Sequence, residues 1–244
     1  MICFGSLVVA SVIIPCTLDD EGGSHSQRGL DIACMSVPWL YVLGFIIIYS
    51  ALFSKTWRIN KIFKGAISFE RVTVKPRDVL IPFIVLMISS LTLLSVWTAL
   101  DPLVYKRQPT GQDTDEWNRI VSTYGSCISV PRASSAAEVC GWLLFGMLFL
   151  ALIATCVQAN QARSVSSDYS ESTYIGFAVV LILQLHILAA PIIAFNYTSR
   201  IAVYYAEILV CFLTSSMVLF LIFVPKLLLL RSKLQSQIVI LTAQ

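Results

Sequence analysis

The chain has 244 residues, of which 57% are hydrophobic and 13% charged, with a mean hydropathy of +0.80 and a formal net charge of +3. A soluble domain carries about 25% charged residues, and a chain this poor in charge cannot cover a water-facing surface. Disorder is excluded as well, because disordered chains are poor in Leu, Ile, Val and Phe, and a polytopic membrane protein remains.

Six apolar segments are predicted as membrane helices: 2–18, 32–53, 79–100, 139–157, 175–195 and 201–230. Each is a continuous run of roughly the 20 apolar residues a bilayer-crossing helix needs. None shows the strict alternation of a membrane strand, so the fold class is an all-α membrane protein, a helical bundle. Of the 17 basic and 14 acidic residues, the segments contain Glu207 and Lys226 alone. The first segment opens almost at Met1. A signal-peptide core would be preceded by Lys or Arg, and none is there, so a chain that begins inside a larger fold is the better expectation.

The second segment carries Cys34 at one end and Pro38, expected in the first turns of its helix. The stretch 54–78 follows with Lys55, Arg58, Lys61, Lys64, Arg71, Lys75 and Arg77. The third segment leads into a long connection that holds the acidic cluster at 113–116 and Cys127. In the fifth, His186 is expected to hydrogen-bond a neighbouring helix, and Pro191 to kink its helix. Asn196-Tyr197-Thr198 is a glycosylation sequon. The sixth contains Glu207, which either reaches the interface or faces an internal cavity, and Pro225, a second kink.

Orientation follows from the basic residues. One side carries ten, counting the seven in 54–78 together with Arg163, Arg231 and Lys233; the other carries Arg28, Lys106, Arg107, Arg119, Arg132 and Arg200. Short basic loops stay in the cytoplasm, which puts Met1, the 54–78 stretch and the C-terminus inside and the sequon outside. Of seven cysteines, Cys34 and Cys127 then face an oxidising compartment. A bridge between them would pin the long outer connection over the bundle, with Cys16 and Cys140 as rival partners. No spacing of Cys and His suggests a metal, and no catalytic set or phosphate-cradling Gly loop is present, so neither enzyme nor cofactor chemistry is expected. There is no row of intramembrane carboxylates and no internal repeat of the kind transporters show.

Three stretches are specific. Phe53-Ser54-Lys55-Thr56-Trp57-Arg58-Ile59-Asn60-Lys61-Ile62-Phe63 closes the second segment, Trp97-Thr98-Ala99-Leu100-Asp101-Pro102-Leu103 closes the third, and Phe223-Val224-Pro225-Lys226 closes the sixth. With Leu18-Asp19 and Tyr174-Ile175-Gly176 in the same order, they resemble the seven-helix domain of class C G-protein-coupled receptors, in particular the GABA-B (metabotropic GABA) branch. The resemblance covers nearly the whole chain and implies that residues 1–234 supply family helices two to seven, six helices of a seven-transmembrane receptor fold, with 235–244 as a short cytoplasmic tail. It also implies that the first helix and the bilobed extracellular ligand-binding domain lie outside this chain.

By resemblance, Cys34 and Cys127 match the pair joining the third family helix to the second outer loop. Lys55 matches a basic residue that pairs with an acid at the inner end of the sixth family helix, here Glu171, with Asp168 as rival. The stretch around Lys55, Arg58, Lys61, Phe63 and Lys64 is implied as a contact for a heterotrimeric G protein, and attracts anionic lipid in any case. Trp97, Asp101, Pro102, Pro225 and Lys226 are motif residues, and Asn196 is the candidate glycosylation site. Glu207 departs from the branch, which is apolar there. The expected function is that of a plasma-membrane receptor signal transducer working as a homo- or heterodimer, with no nucleic acid or metal. The alternatives are a non-signalling subunit or truncated product with an assembly or trafficking role and, more remotely, a small-solute transporter or channel.

Overall fold

The structure, a computed structural model, describes residues 1–20, 26–67, 77–109, 123–129, 136–163, 171–195 and 200–242. In chain order these form α1 (Ile2–Ser11), α2 (Ile13–Cys16), α3 (Gln27–Ile67), α4 (Arg77–Leu100), the strands β1 (Leu103–Pro109) and β2 (Thr123–Ser129), α5 (Ala136–Arg163), α6 (Glu171–Phe195) and α7 (Arg200–Thr242). Five helices contain spans long and apolar enough to cross a membrane: Gln27–Ile62, Leu80–Leu100, Glu138–Gln161, Tyr174–Ile192 and Ala202–Leu227. Ile2–Cys16 is a shorter apolar stretch.

The surface is that of a membrane protein. Ile81, Val85 and Ile88 on α4, Trp142 and Leu150 on α5, Leu188 on α6, and Phe212 and Phe220 on α7 are exposed. A water-soluble protein rarely shows contiguous apolar area on this scale. Exposed hydroxyls on these faces are satisfied within their own helix, as lipid offers no partner. Thr92 Oγ1 donates to the Ile88 carbonyl at 2.8 Å and Ser95 Oγ to that of Leu91 at 2.7 Å.

Helix α3 is the centre of the bundle. It packs against α1, α2, α4, α5 and α6 and against β1, while α6 with α7, α5 with α6 and α1 with α7 close the ring. Its row of Val42, Phe45, Ile46, Ile48 and Leu52 forms the core with Val9 and Val12, Leu94 of α4, Leu144, Leu148 and Leu152 of α5, Val179 and Ile182 of α6, and Val218 and Ile222 of α7. Helix α4 is outermost, and of its described side chains only Ser90 and Leu94 are buried.

Two glycines set the crossing of α1 and α3. A Cβ placed on Gly44 of α3 would lie 2.7 Å from Val9 Cγ2 and 2.9 Å from the Val9 backbone nitrogen. A Cβ on Gly5 of α1 would lie 2.8 Å from Ile48 Cγ1 and 3.1 Å from the Gly44 carbonyl. The two backbones therefore touch, the small-residue packing that replaces hydrophobic drive inside lipid.

Several element boundaries differ from the sequence expectation. Pro38 lies three turns inside α3, because the helix starts at Gln27 rather than near residue 32. The polar turn 27–31 stays helical while standing clear of the apolar slab that hydropathy detects. The first half of the 54–78 stretch is likewise helix, so Lys55, Arg58 and Lys61 sit on α3 and not in a loop. The first segment breaks at Val12, where Pro15 has no N–H to return to the Ser11 carbonyl. Pro82, Pro191 and Pro225 lie within α4, α6 and α7, and α7 continues as helix to Thr242.

Candidate functional site

The end of the bundle that carries the hairpin is built around Tyr105. Strands β1 and β2 pair antiparallel with Tyr105 opposite Cys127 and Arg107 opposite Gly125. Cys127 is disulfide-bonded to Cys34 of α3, with Cα atoms 5.5 Å apart and 93 residues between them in sequence. Tyr105 packs with Leu30 and Cys34 of α3 in a small cluster flanked by Leu103. Its ring crosses the hairpin over Gly125, where any Cβ would overlap it. Glycine in a strand often marks such a close approach.

Polar groups fix the same residue from all sides. The Tyr105 N–H donates to Asp31 Oδ1 at 2.9 Å, and Gln27 Nε2 donates to the Tyr105 carbonyl at 2.8 Å and to Asp31 Oδ1 at 3.1 Å. The hydroxyl is shared between the carboxylates of Asp19 and Asp20, 2.9 Å from the latter. Burial and the two carboxylates, which hold the hydroxyl in its protonated form, push its pKa up. Arg107 grips Asp20 from two nitrogens, Nε at 2.8 Å from Oδ2 and Nη2 at 2.7 Å from Oδ1. These bonds hold the Asp20 carboxyl well below the usual carboxylate range and raise the Arg107 guanidinium. A carboxylate depressed in this way stabilises the fold above its unfolded pKa, and the contribution is lost only as pH falls through the strongly acid range. The pair is solvent-exposed and so a weak fastener; the disulfide is the strong one. Asp20, Gln27, Asp31 and residues 104–107 line an open cleft of 610 Å³ here.

Within the bundle, His186 meets Tyr41 of α3 through Nε2 at 2.5 Å and its own helix through Nδ1, 2.7 Å from the Ile182 carbonyl. Its expected role, a bond to a neighbouring helix, is what the structure has. Phe45 stacks edge-on to the imidazole at 5.4 Å. Trp39 Nε1 donates to Thr98 Oγ1 at 3.1 Å, joining α3 to α4. Glu207 is half-buried on α7.

At the opposite end of α3, Lys55 is half-buried, Arg58 exposed, and the Lys61 ammonium sits 4.5 Å over the Trp57 ring. Phe63 and Lys64 continue the helix, and Glu171 is the first residue of α6, but these three side chains lie outside the described ones, as do residues Asp168 and Asn196. Asn60, 6% exposed, donates from Nδ2 to the Gln158 carbonyl of α5 at 2.8 Å and to its Oε1 at 2.7 Å. Among the motif residues, Asp101 is buried with its N–H on the Trp97 carbonyl at 2.9 Å. Its Oδ1 and Trp97 Nε1 have no hydrogen-bond partner among the described residues. Pro102 follows, Pro225 lies within α7, and Lys226 is exposed beside it.

Tyr105, Arg107, Asn60 and Gln158 are not marked in the amino-acid sequence as Cys34 and Cys127 are. The first two lie on strands that no apolar run announces. Asn60 stands beyond the end of the apolar segment at residue 53, although Leu52, Thr56 and Asn60 share the i, i+4 spacing of one buried helix face.

Apolar spans turned outward around a central helix, with a disulfide-fastened hairpin across one end, define a multi-pass membrane protein. Residues 1–226 match the family described as "7 transmembrane sweet-taste receptor of 3 GCPR", so the chain belongs to the class C G-protein-coupled receptor transmembrane family. It is 24% identical over 217 residues to gamma-aminobutyric acid type B receptor subunit 2 of Homo sapiens, covering 87% of this chain and 22% of that protein. It is also 24% identical to gamma-aminobutyric acid type B receptor subunit 1 of Mus musculus, over 245 residues, 96% of this chain and 24% of that protein. A shorter stretch of 81 residues, 31% of this chain and 9% of the relative, is 31% identical to metabotropic glutamate receptor-like protein E of Dictyostelium discoideum. The chain thus spans about a quarter of the length of the receptor subunits it matches.

Proposed function

We infer that this chain is the signal-transducing membrane domain of a GABA-B-like receptor, residues 1–234 relaying extracellular ligand binding to a heterotrimeric G protein and 235–244 serving as a short cytoplasmic tail. The family match over residues 1–226 carries the reading. In this reading the receptor lies in the plasma membrane, with the disulfide-fastened hairpin outside, where thiols oxidise, and with Met1 and the C-terminus inside. Asn196 is then on the outer side and open to glycosylation. A second class C chain completes a homo- or heterodimer, as the receptor-subunit names of its relatives suggest.

The inner end of α3 offers the G protein Arg58, Lys61 and Lys64, with Phe63 as an apolar point among the charges. Lys55 on α3 pairs with Glu171 at the start of α6, and the contact between these two helices supports it. Two charges about 4 Å apart near a protein surface attract by about 4 kcal/mol gross, but the net value of partly exposed pairs is about 1 kcal/mol or less. A lock of that strength suits a switch, since a modest difference in interaction moves a two-state equilibrium. In a complete receptor, Lys55→Ala or Glu171→Ala is expected to raise basal G-protein nucleotide exchange up to about fivefold. Unchanged basal exchange in both variants would remove the lock.

A further inference from the structure

We propose that Asn60 and Gln158 form a hydrogen-bond latch that holds the inner ends of α3 and α5 together in the resting receptor; its effect on signalling rests on the G-protein reading above, whereas its existence does not. The geometry uses the whole donor capacity of one amide. The Asn60 NH2 group has two protons, and its nitrogen lies 2.8 Å from the Gln158 main-chain oxygen and 2.7 Å from Gln158 Oε1. Asn60 is 6% exposed and Gln158 half-buried, so little water reaches this amide to take the place of either bond. Asn60 is also buried on the face of α3 that Leu52 and Thr56 occupy.

The two acceptors differ in kind, and this gives the latch its character. The Oε1 bond ends when the Gln158 side chain rotates. The main-chain bond ends only when α5 itself slides or tilts away from α3. Thr56, one turn earlier, donates instead to its own helix, to the Leu52 and Phe53 carbonyls. Asn60 therefore fastens α3 to α5 where Thr56 does not. The latch lies one residue before Lys61 and two after Arg58, so its opening would reshape the surface assigned to the G protein.

Amide hydrogen exchange of the receptor in lipid nanodiscs reads the latch directly, and G-protein nucleotide exchange reads its consequence. Interhelical hydrogen bonds in membranes each shift such an equilibrium about threefold. Asn60→Leu removes both bonds and should speed exchange of residues 154–163 about sevenfold or more, raising basal nucleotide exchange with it. Gln158→Ala keeps the main-chain acceptor and should give about a threefold change; at a half-buried site it guards against a folding failure of the first variant. Exchange in 154–163 unchanged by either variant would overturn the latch. Faster hydrogen exchange in both with basal nucleotide exchange unchanged would uphold the latch and count against the G-protein reading alone.

Discussion

Gly44→Leu is expected to separate α1 from α3 and to abolish a stable bundle. At the crossing, even a Cβ would sit 2.9 Å from the Val9 backbone nitrogen and 3.1 Å from the Gly5 carbonyl. Those are main-chain atoms, which cannot rotate aside as a side chain does. Overpacking a filled interior costs about 1–3 kcal/mol and sometimes more, and a leucine that must drive two helix backbones apart belongs at the upper end. The first helix has few other neighbours, packing otherwise on α7 and α2. Gly44→Ala should be milder, with a fall in midpoint of about 2–8 °C from a cost of about 1–2 kcal/mol. Gly146 on α5 is the control, because a Cβ there meets nothing within 4 Å. Gly146→Ala should leave the midpoint unchanged or raise it, as alanine favours the helix by about 0.5–1 kcal/mol. Thermal unfolding in detergent checks all three, and a Gly44→Leu protein as stable as the parent would contradict the crossing.

Cys34→Ser is expected to release the hairpin and lower the unfolding midpoint by roughly 4–12 °C. The bridge closes a loop with a sequence separation of 93, for which chain-entropy reasoning gives an upper value near 4–5 kcal/mol. Helices retained in lipid already restrict the unfolded chain, so a value of about 2–3 kcal/mol is the better expectation. The polar contacts of Tyr105 and Arg107 remain in the variant, yet the Arg107–Asp20 pair is exposed and cannot replace a covalent bond. Mass spectrometry of peptides from the unreduced protein should recover Cys34 linked to Cys127. Linkage of either cysteine to Cys16 or Cys140 would contradict the assignment.

Five of the six expected spans were legible, in order, because lipid demands apolar side chains over a fixed length and hydropathy measures that demand; the first segment is a shorter apolar stretch, broken at Val12. Which face of each helix packs inward was not legible. Leu94 is buried and Val96 exposed on the same helix, and in lipid both positions favour apolar residues. Helix ends are not legible from hydropathy either. Gln27–Asp31 and Lys55–Ile67 are helical outside the apolar slab, and hydropathy records the slab, not the helix. Asn60 therefore reads as a residue of the basic 54–78 connection, whereas it is buried on α3 and bonded to α5. The hairpin was invisible for a different reason. Its two strands have little apolar patterning and are held by a disulfide, one tyrosine and a ring of carboxylates, contacts that join residues 74 to 93 positions apart.

Relay of a signal to a G protein through the inner end of α3 is what we propose for this bundle. Nucleotide exchange on a purified heterotrimeric G protein, measured with the receptor in nanodiscs, tests it most directly. The parent protein is expected to accelerate exchange above the G protein's intrinsic rate, and a variant with Arg58, Lys61 and Lys64 changed to Gln should lose most of that acceleration at equal protein level. Exchange that stays at the intrinsic rate with the parent, or an undiminished acceleration by the neutralised variant, would contradict the account.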